Sequence, residues 1–248
     1  MSGRVQQLPW LALILATAAF ALCVRLGFWQ LERAETKLRW QQELSERQQA
    51  DRQTVKDLMA HQQPGNYPVQ LRGTPDNTHT ILLDNRIHES IAGYHVLTPV
   101  HSESGQWVLL NRGWFPRGRS RDQLPEIPAL PETLSVAGRS YVYSDKVFTL
   151  AEDDLSQPSW PLRVQRVDMA RLGQLLGIEL APFEVRAEPG EPLETGAQMV
   201  RDWTGSMMTP DRHRAYALQW FAMAAALVIL LVLAAWRQRR QSDREMDA

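Results

Sequence analysis

Apolar positions along this chain gather into two long blocks separated by many short runs. From Leu8 to Phe28 only Thr17 and Arg25 interrupt the first block, and Ala215 to Trp236 carries no charged residue. At about 1.5 Å of rise per residue the second block reaches about 33 Å, enough to cross the hydrocarbon core of a bilayer with slight tilt. The pattern predicts one transmembrane helix over 8–30 and another over 210–236.

Between the blocks the periodicity changes twice. Residues 31–63 are rich in Glu, Gln, Arg and Ala, with opposite charges four apart at Glu35 and Arg39 and at Glu43 and Arg47. This predicts a helical extension of the first span, ended by Pro64, Gly65 and Pro68. Residues 64–208 then form one domain of short β-branched and aromatic stretches set between Gly, Pro, Asn and Asp. The expected strands are Val69 to Gly73, Thr80 to Leu83, His95 to Val100, Trp107 to Asn111, Thr133 to Val142, Leu162 to Val167 and Phe183 to Arg186. Met169 to Leu176 reads as a helix with Gly177 as its C-cap, and Ser120 to Pro131, with three prolines, as a surface loop. The fold class is thus an integral membrane protein: two transmembrane helices flank one extracytoplasmic, mainly antiparallel β domain (α+β).

The first block also resembles a signal peptide in position, but Arg4 is the only basic residue before it, it is long for a signal core, and Trp29 stands where an interfacial anchor belongs. Arg25 lies near one end, within snorkelling distance of the interface. Leu22 ahead of Cys23 argues against a lipid-attachment signal. With two spans the termini share a side, and Arg237, Arg239, Arg240 and Arg244 in the tail 237–248 assign that side to the cytoplasm. Arg33 and Arg214 oppose this vote, yet they flank a loop too long for the charge rule. The lack of an Arg- and Ser-rich presequence makes a bacterial inner membrane the expected home, with the domain periplasmic.

Composition removes several classes of function. A formal net charge of -1, from 27 basic and 28 acidic residues, leaves no electrostatic footprint for nucleic acid. The single cysteine excludes a disulfide framework, a paired-cysteine metal site and a haem-attachment Cys-x-x-Cys-His motif. His79, His88, His95 and His101 follow no standard ligand spacing. There is no Gly-x-Ser-x-Gly elbow, His-Glu-x-x-His pair or phosphate loop, which weighs against a membrane-anchored enzyme.

Four strings occur in a fixed order: GFWQLERAETK from Gly27 to Lys37, GYHVLTPV from Gly93 to Val100, VLLNRGWFP from Val108 to Pro116, and HRAYALQWF from His213 to Phe221. Together they resemble the SURF1 (Shy1) family of cytochrome c oxidase assembly factors over nearly the whole chain. One departure is that Pro210, Asp211 and Arg212 stand where an Asn-containing stretch is expected before the histidine. The resemblance implies a non-enzymatic role. That role is helping to place haem a in cytochrome c oxidase subunit I of an aa3-type enzyme, with haem a synthase as a further partner. A scaffold that gathers oxidase subunits without touching haem is the alternative.

Haem handling at a membrane requires an iron ligand, apolar walls and cations or N–H groups for the propionates. Thr209 reads as an N-cap and Pro210 as the first helical residue, so His213 falls in the opening turn of the second span. Tyr216 and Trp220 follow at three and seven residues, on the same predicted face, with Ala217 and Ala224 leaving room for a flat ring. His213 is the candidate haem-iron ligand, and an ordinary interfacial histidine is the competing reading. Gln30, Arg33 and Lys37 share a face of the first helix beside Trp29, suited to propionates or acidic partner groups, or simply a solvated face. Arg112, Gly113 and Trp114 read as structural: a buried ring, a close backbone approach and a loop-fixing cation. The topology is checked by fusing a periplasm-active reporter after Gly105 and after Ala248. Activity is expected only at Gly105, and activity at Ala248 contradicts the orientation.

Overall fold

The computed structural model describes residues 8–118, 123–144, 153, 155–193, 199–203 and 210–246. The chain divides into two units, one of residues 1–43 and 205–248 and the other of residues 44–204.

The first unit is helical, built from α1 (Leu8–Gln48, of which the last turn belongs to the second unit) and α4 (Pro210–Met246). The apolar stretches of the two helices have mean hydropathies of 2.2 and 2.4 and are almost wholly uncovered by protein. Leu11, Ile14, Leu15 and Leu22 on α1, and Leu218, Ile229, Leu230 and Val232 on α4, are all exposed. A soluble protein would bury such a surface, so its solvent is lipid and both helices span the membrane. The Thr17 hydroxyl donates back to the Leu13 carbonyl at 2.8 Å, which satisfies it inside the apolar segment. At the far end of α4 the Arg240 guanidinium lies 3.8 Å from the Trp236 ring centre, an aromatic and cation pair suited to an interface.

Residues removed from the surroundings recur at steps of four and three: Cys23, Gly27, Gln30 and Ala34 on α1, and His213, Ala217, Trp220 and Ala224 on α4. That spacing is a heptad seam, and its small residues allow close approach of two helices. Phe221 crosses the seam, its ring edge-on to Phe28 at 5.3 Å. A Cβ added to Gly27 would come within 2.7 Å of the Phe221 ring, so the glycine is the notch that receives it.

The second unit is a barrel with a flange. Its strands are β1 (Pro68–Pro75), β2 (Ile81–His88), β3 (Ile91–Ser102), β4 (Trp107–Pro116), β5 (Leu134–Tyr141), β6 (Leu162–Val164) and β7 (Leu180–Ala187). They follow the order β1-β5-β7-β4-β3-β2-β6, and an additional β1 to β3 pairing closes the first five into a ring. β1 manages both partners by pairing residues 68–73 with β5 and 73–75 with β3. Five of the pairings are antiparallel, in keeping with the mainly antiparallel domain expected, and the β4–β7 and β2–β6 pairs are parallel. Val108 and Leu110 of β4 join Leu71, Val136, Phe183 and Val185 in one core cluster, while Leu109 joins Ile81, Leu83, Leu97 and Leu172 in another. Burial on both faces explains why this strand is a continuous apolar run.

The helical extension expected through residue 63 is divided. α1 stops at Gln48, and a separate α2 (Val55–Met59) begins at Thr54, whose hydroxyl and the Asp57 carboxylate form a reciprocal capping box. Between them the Gln53 backbone bonds to Pro68 and Gln70 at 3.0 Å each, and Val55 and Leu58 then fill the barrel core. α3 (Met169–Leu176) is capped by Asp168 and ends at Gly177 in the left-handed region, as its sequence indicates.

The Arg112, Gly113 and Trp114 run fastens the segment 199–201 to β4. Trp114 exchanges two backbone hydrogen bonds with Val200 at 2.7 and 2.9 Å, its indole donates to the Arg86 carbonyl at 2.9 Å, and Arg201 donates to the Arg112 carbonyl at 2.7 Å. Gly113 has φ +126°, and a Cβ there would meet the Val200 oxygen at 2.8 Å. Arg112, fully buried, donates to the Pro128 carbonyl at 2.6 Å.

A buried polar network also lies on the other face of β4 and β7, opposite the barrel core. Glu184, fully buried, accepts from Asn111 at 3.1 and 3.2 Å, from the Tyr143 hydroxyl and from Arg186 at 2.8 Å. Burial, and then the adjacent Glu184, push the Tyr143 phenol well above its ordinary range. Arg186 stacks 3.3 Å from the Tyr141 ring centre and 5.0 Å from that of Trp203, against which His95 packs edge-on at 5.4 Å. Burial, helped by Arg86 and Arg186, lowers His95 from 6.5 to about 3. The native fold therefore holds this imidazole neutral while the unfolded chain protonates it below about pH 6.5, so stability falls as pH drops through that window towards about 3. Chemical denaturation of the full chain in detergent should show a loss of roughly 2 kcal/mol between pH 7 and pH 5. His95→Gln should flatten that dependence, and an unchanged slope would contradict it.

Candidate functional site

α4 opens with Pro210, whose missing N–H costs nothing in a first helical turn, and with Asp211, whose carboxylate accepts from Arg214 at 3.3 Å. The expected cap Thr209 lies outside the described residues. One turn in, His213 is 9% exposed, a buried polar side chain at the start of an apolar helix. Its Nδ1 lies 2.8 Å from Oε1 of Gln30, and its other ring nitrogen makes no hydrogen bond among the described residues. Gln30 comes from α1, one turn after the Gly27 notch.

Around this pair the expected site residues separate into two groups. Trp220 is half-buried on the seam with His213, while Tyr216 is 43% exposed and turns away from it. Trp29 is 52% exposed and Arg33 is exposed, four residues apart on the outer face of α1. Lys37 is half-buried, its ammonium 5.5 Å above the Trp40 ring. Ala217 and Ala224 do not leave space for a ring, because they are 1% and 4% exposed and belong to the packed seam. Trp29 and Tyr216 present exposed aromatic surface, while the seam at Ala217 and Ala224 is packed.

The domain histidines do not converge. His79 lies 2.6 Å from Asp76 and packs on Trp160, while His88 packs on Trp114, His95 on Trp203 and His101 on Trp107. Among the described residues no three His, Cys, Asp or Glu side chains gather as a metal site. His79 also has one ring nitrogen paired, to Asp76, and His213 differs from it in being buried, 9% exposed, against a neutral carboxamide. That donor set fits a single axial ligand to a haem iron. The Gln30 to His213 bond joins residues 183 positions apart, and the signal available for it was the occurrence of one polar residue in each otherwise small or apolar heptad stripe.

The SURF1 family model matches residues 17–225. Surfeit locus protein 1 of Mus musculus is 24% identical over 240 residues, covering 88% of this chain and 72% of the mouse protein. The SURF1-like protein of Rickettsia bellii is 24% identical over 223 residues, covering 85% of each. Surfeit locus protein 1 of Xenopus tropicalis is 22% identical over 246 residues, covering 90% of this chain and 74% of the frog protein.

Proposed function

The chain belongs to the SURF1 family, and on that premise we propose that it assists the delivery of haem a to subunit I of an aa3-type cytochrome c oxidase. As a member of that family it is an assembly factor and not an enzyme. Its setting in this reading is a bacterial inner membrane, with both termini cytoplasmic and the barrel periplasmic. Haem a is cargo, received from haem a synthase and released to the oxidase.

The observation that carries the reading is the His213 imidazole, held by Gln30 through one nitrogen only, in a seam whose other members are small or apolar. Polar side chains in a membrane are costly and are retained where they serve a site. His213 would ligate the iron. Trp29, Tyr216 and Trp220 would contact the macrocycle, whose apolar faces gain more from aromatic surface and lipid than from water. Arg33 would pair with a propionate. A site at the mouth of the spans lets an apolar macrocycle pass to another membrane protein without crossing water.

Deleting the gene should lower haem a content and aa3-type oxidase activity in membranes while sparing oxidases that use other haems. In the purified chain, co-expressed with the enzymes of haem a synthesis, His213→Ala should abolish or shift the Soret band at unchanged protein level. Tyr216→Ala and Trp220→Ala should weaken retention less. A wild-type chain without a Soret band would support the scaffold role instead, and an unaltered spectrum in His213→Ala would remove this residue as the ligand.

A further inference from the structure

We propose that Gln30 is a positioning residue for His213, fixing the imidazole in the tautomer that carries its hydrogen on Nδ1 and leaves the Nε2 lone pair for a metal. The inference rests on the haem-ligand reading above and names the group that would make the ligand competent.

The contact is between Oε1 and Nδ1 at 2.8 Å, and a carboxamide oxygen can only accept a hydrogen bond. Nδ1 must then be the donor, and in a neutral ring the other nitrogen is bare. His213 is buried and Gln30 half-buried at adjoining seam positions, so the protein itself shields the pair from competing partners. The bond is also held by packing. Gly27, one turn before Gln30, receives the Phe221 ring, and Ala217, one turn after His213, is buried in the same seam. Both partners therefore project from backbones whose approach is already set. Such a partner orients the ring, fixes which nitrogen is available and raises the basicity of that nitrogen.

Three substitutions separate the possibilities. Gln30→Leu keeps the bulk and removes the acceptor, Gln30→Glu keeps an acceptor, and His213→Ala removes the ring. The full chain in lipid nanodiscs, labelled with 15N in its histidine rings, reports the tautomer without any haem. The His213 signals are those missing from His213→Ala. The expected wild-type pattern is a protonated Nδ1 and an unprotonated Nε2, with Gln30→Leu giving a mixture of tautomers in a chain that remains folded. Titration with ferric haem as the probe should show affinity falling about 10- to 100-fold in Gln30→Leu. Gln30→Glu should retain most of the affinity and raise the iron–imidazole stretching frequency of the ferrous complex. A wild-type His213 protonated on Nε2, or Gln30→Leu binding haem with wild-type affinity and spectrum while His213→Ala does not, overturns the inference and leaves the ligand assignment standing. Wild-type haem binding by His213→Ala overturns the ligand assignment and the inference with it.

Discussion

The distance between α1 and α4 is the constraint on which the membrane unit depends, and it is set by the meeting of Gly27 with the Phe221 ring. In lipid there is no hydrophobic gain from burying one apolar helix against another, so association has to come from close packing and a few polar contacts. The seam supplies both. Gly27, Ala34, Ala217 and Ala224 let backbones approach, and Gln30 and His213 meet within it. A bulkier residue in the notch would separate the helices and stretch that hydrogen bond, so the packing and the candidate chemistry are one arrangement.

The barrel solves a different problem. Its five-strand ring leaves β2 and β6 as a flange that α3 covers, so β4 is packed on both faces and tolerates almost no polar atom without a partner. Two buried groups along it are tied into defined pairs: Glu184 to Asn111, Tyr143 and Arg186, and the Trp114 indole to the Arg86 carbonyl. These bonds specify register as well as stability, since slipping β7 against β4 would strand a carboxylate in an apolar core.

What the sequence disclosed was what local pattern encodes. The two spans, the seven strand centres and α3 with its glycine cap all follow from periodicity and turn chemistry, and the four strings identified the family that the comparison then found. Composition does not mark the end of α1 at Gln48, because Glu, Gln and Arg are good helix formers on both sides of it, and the local signal for the break is the Thr54 and Asp57 capping box that starts α2. The parallel pairings of β4 with β7 and β2 with β6 depend on chain connections that alternation does not report. At the candidate site, helical spacing placed His213 and Tyr216 together, but i and i+3 neighbours diverge when one faces a second helix and the other faces lipid. Ala217 and Ala224 carry no signal that separates a cavity wall from a packed seam, because small residues look alike in both settings.

The central claim is that a close helix seam holds the Gln30 and His213 pair, and the double substitution across the notch tests it most directly. Gly27→Leu in the full chain should lower the melting temperature in nanodiscs and weaken retention of ferric haem. Adding Phe221→Ala, which vacates the space the leucine needs, should restore both in large part. Wild-type behaviour of Gly27→Leu, or a loss that Phe221→Ala only deepens, would contradict the account.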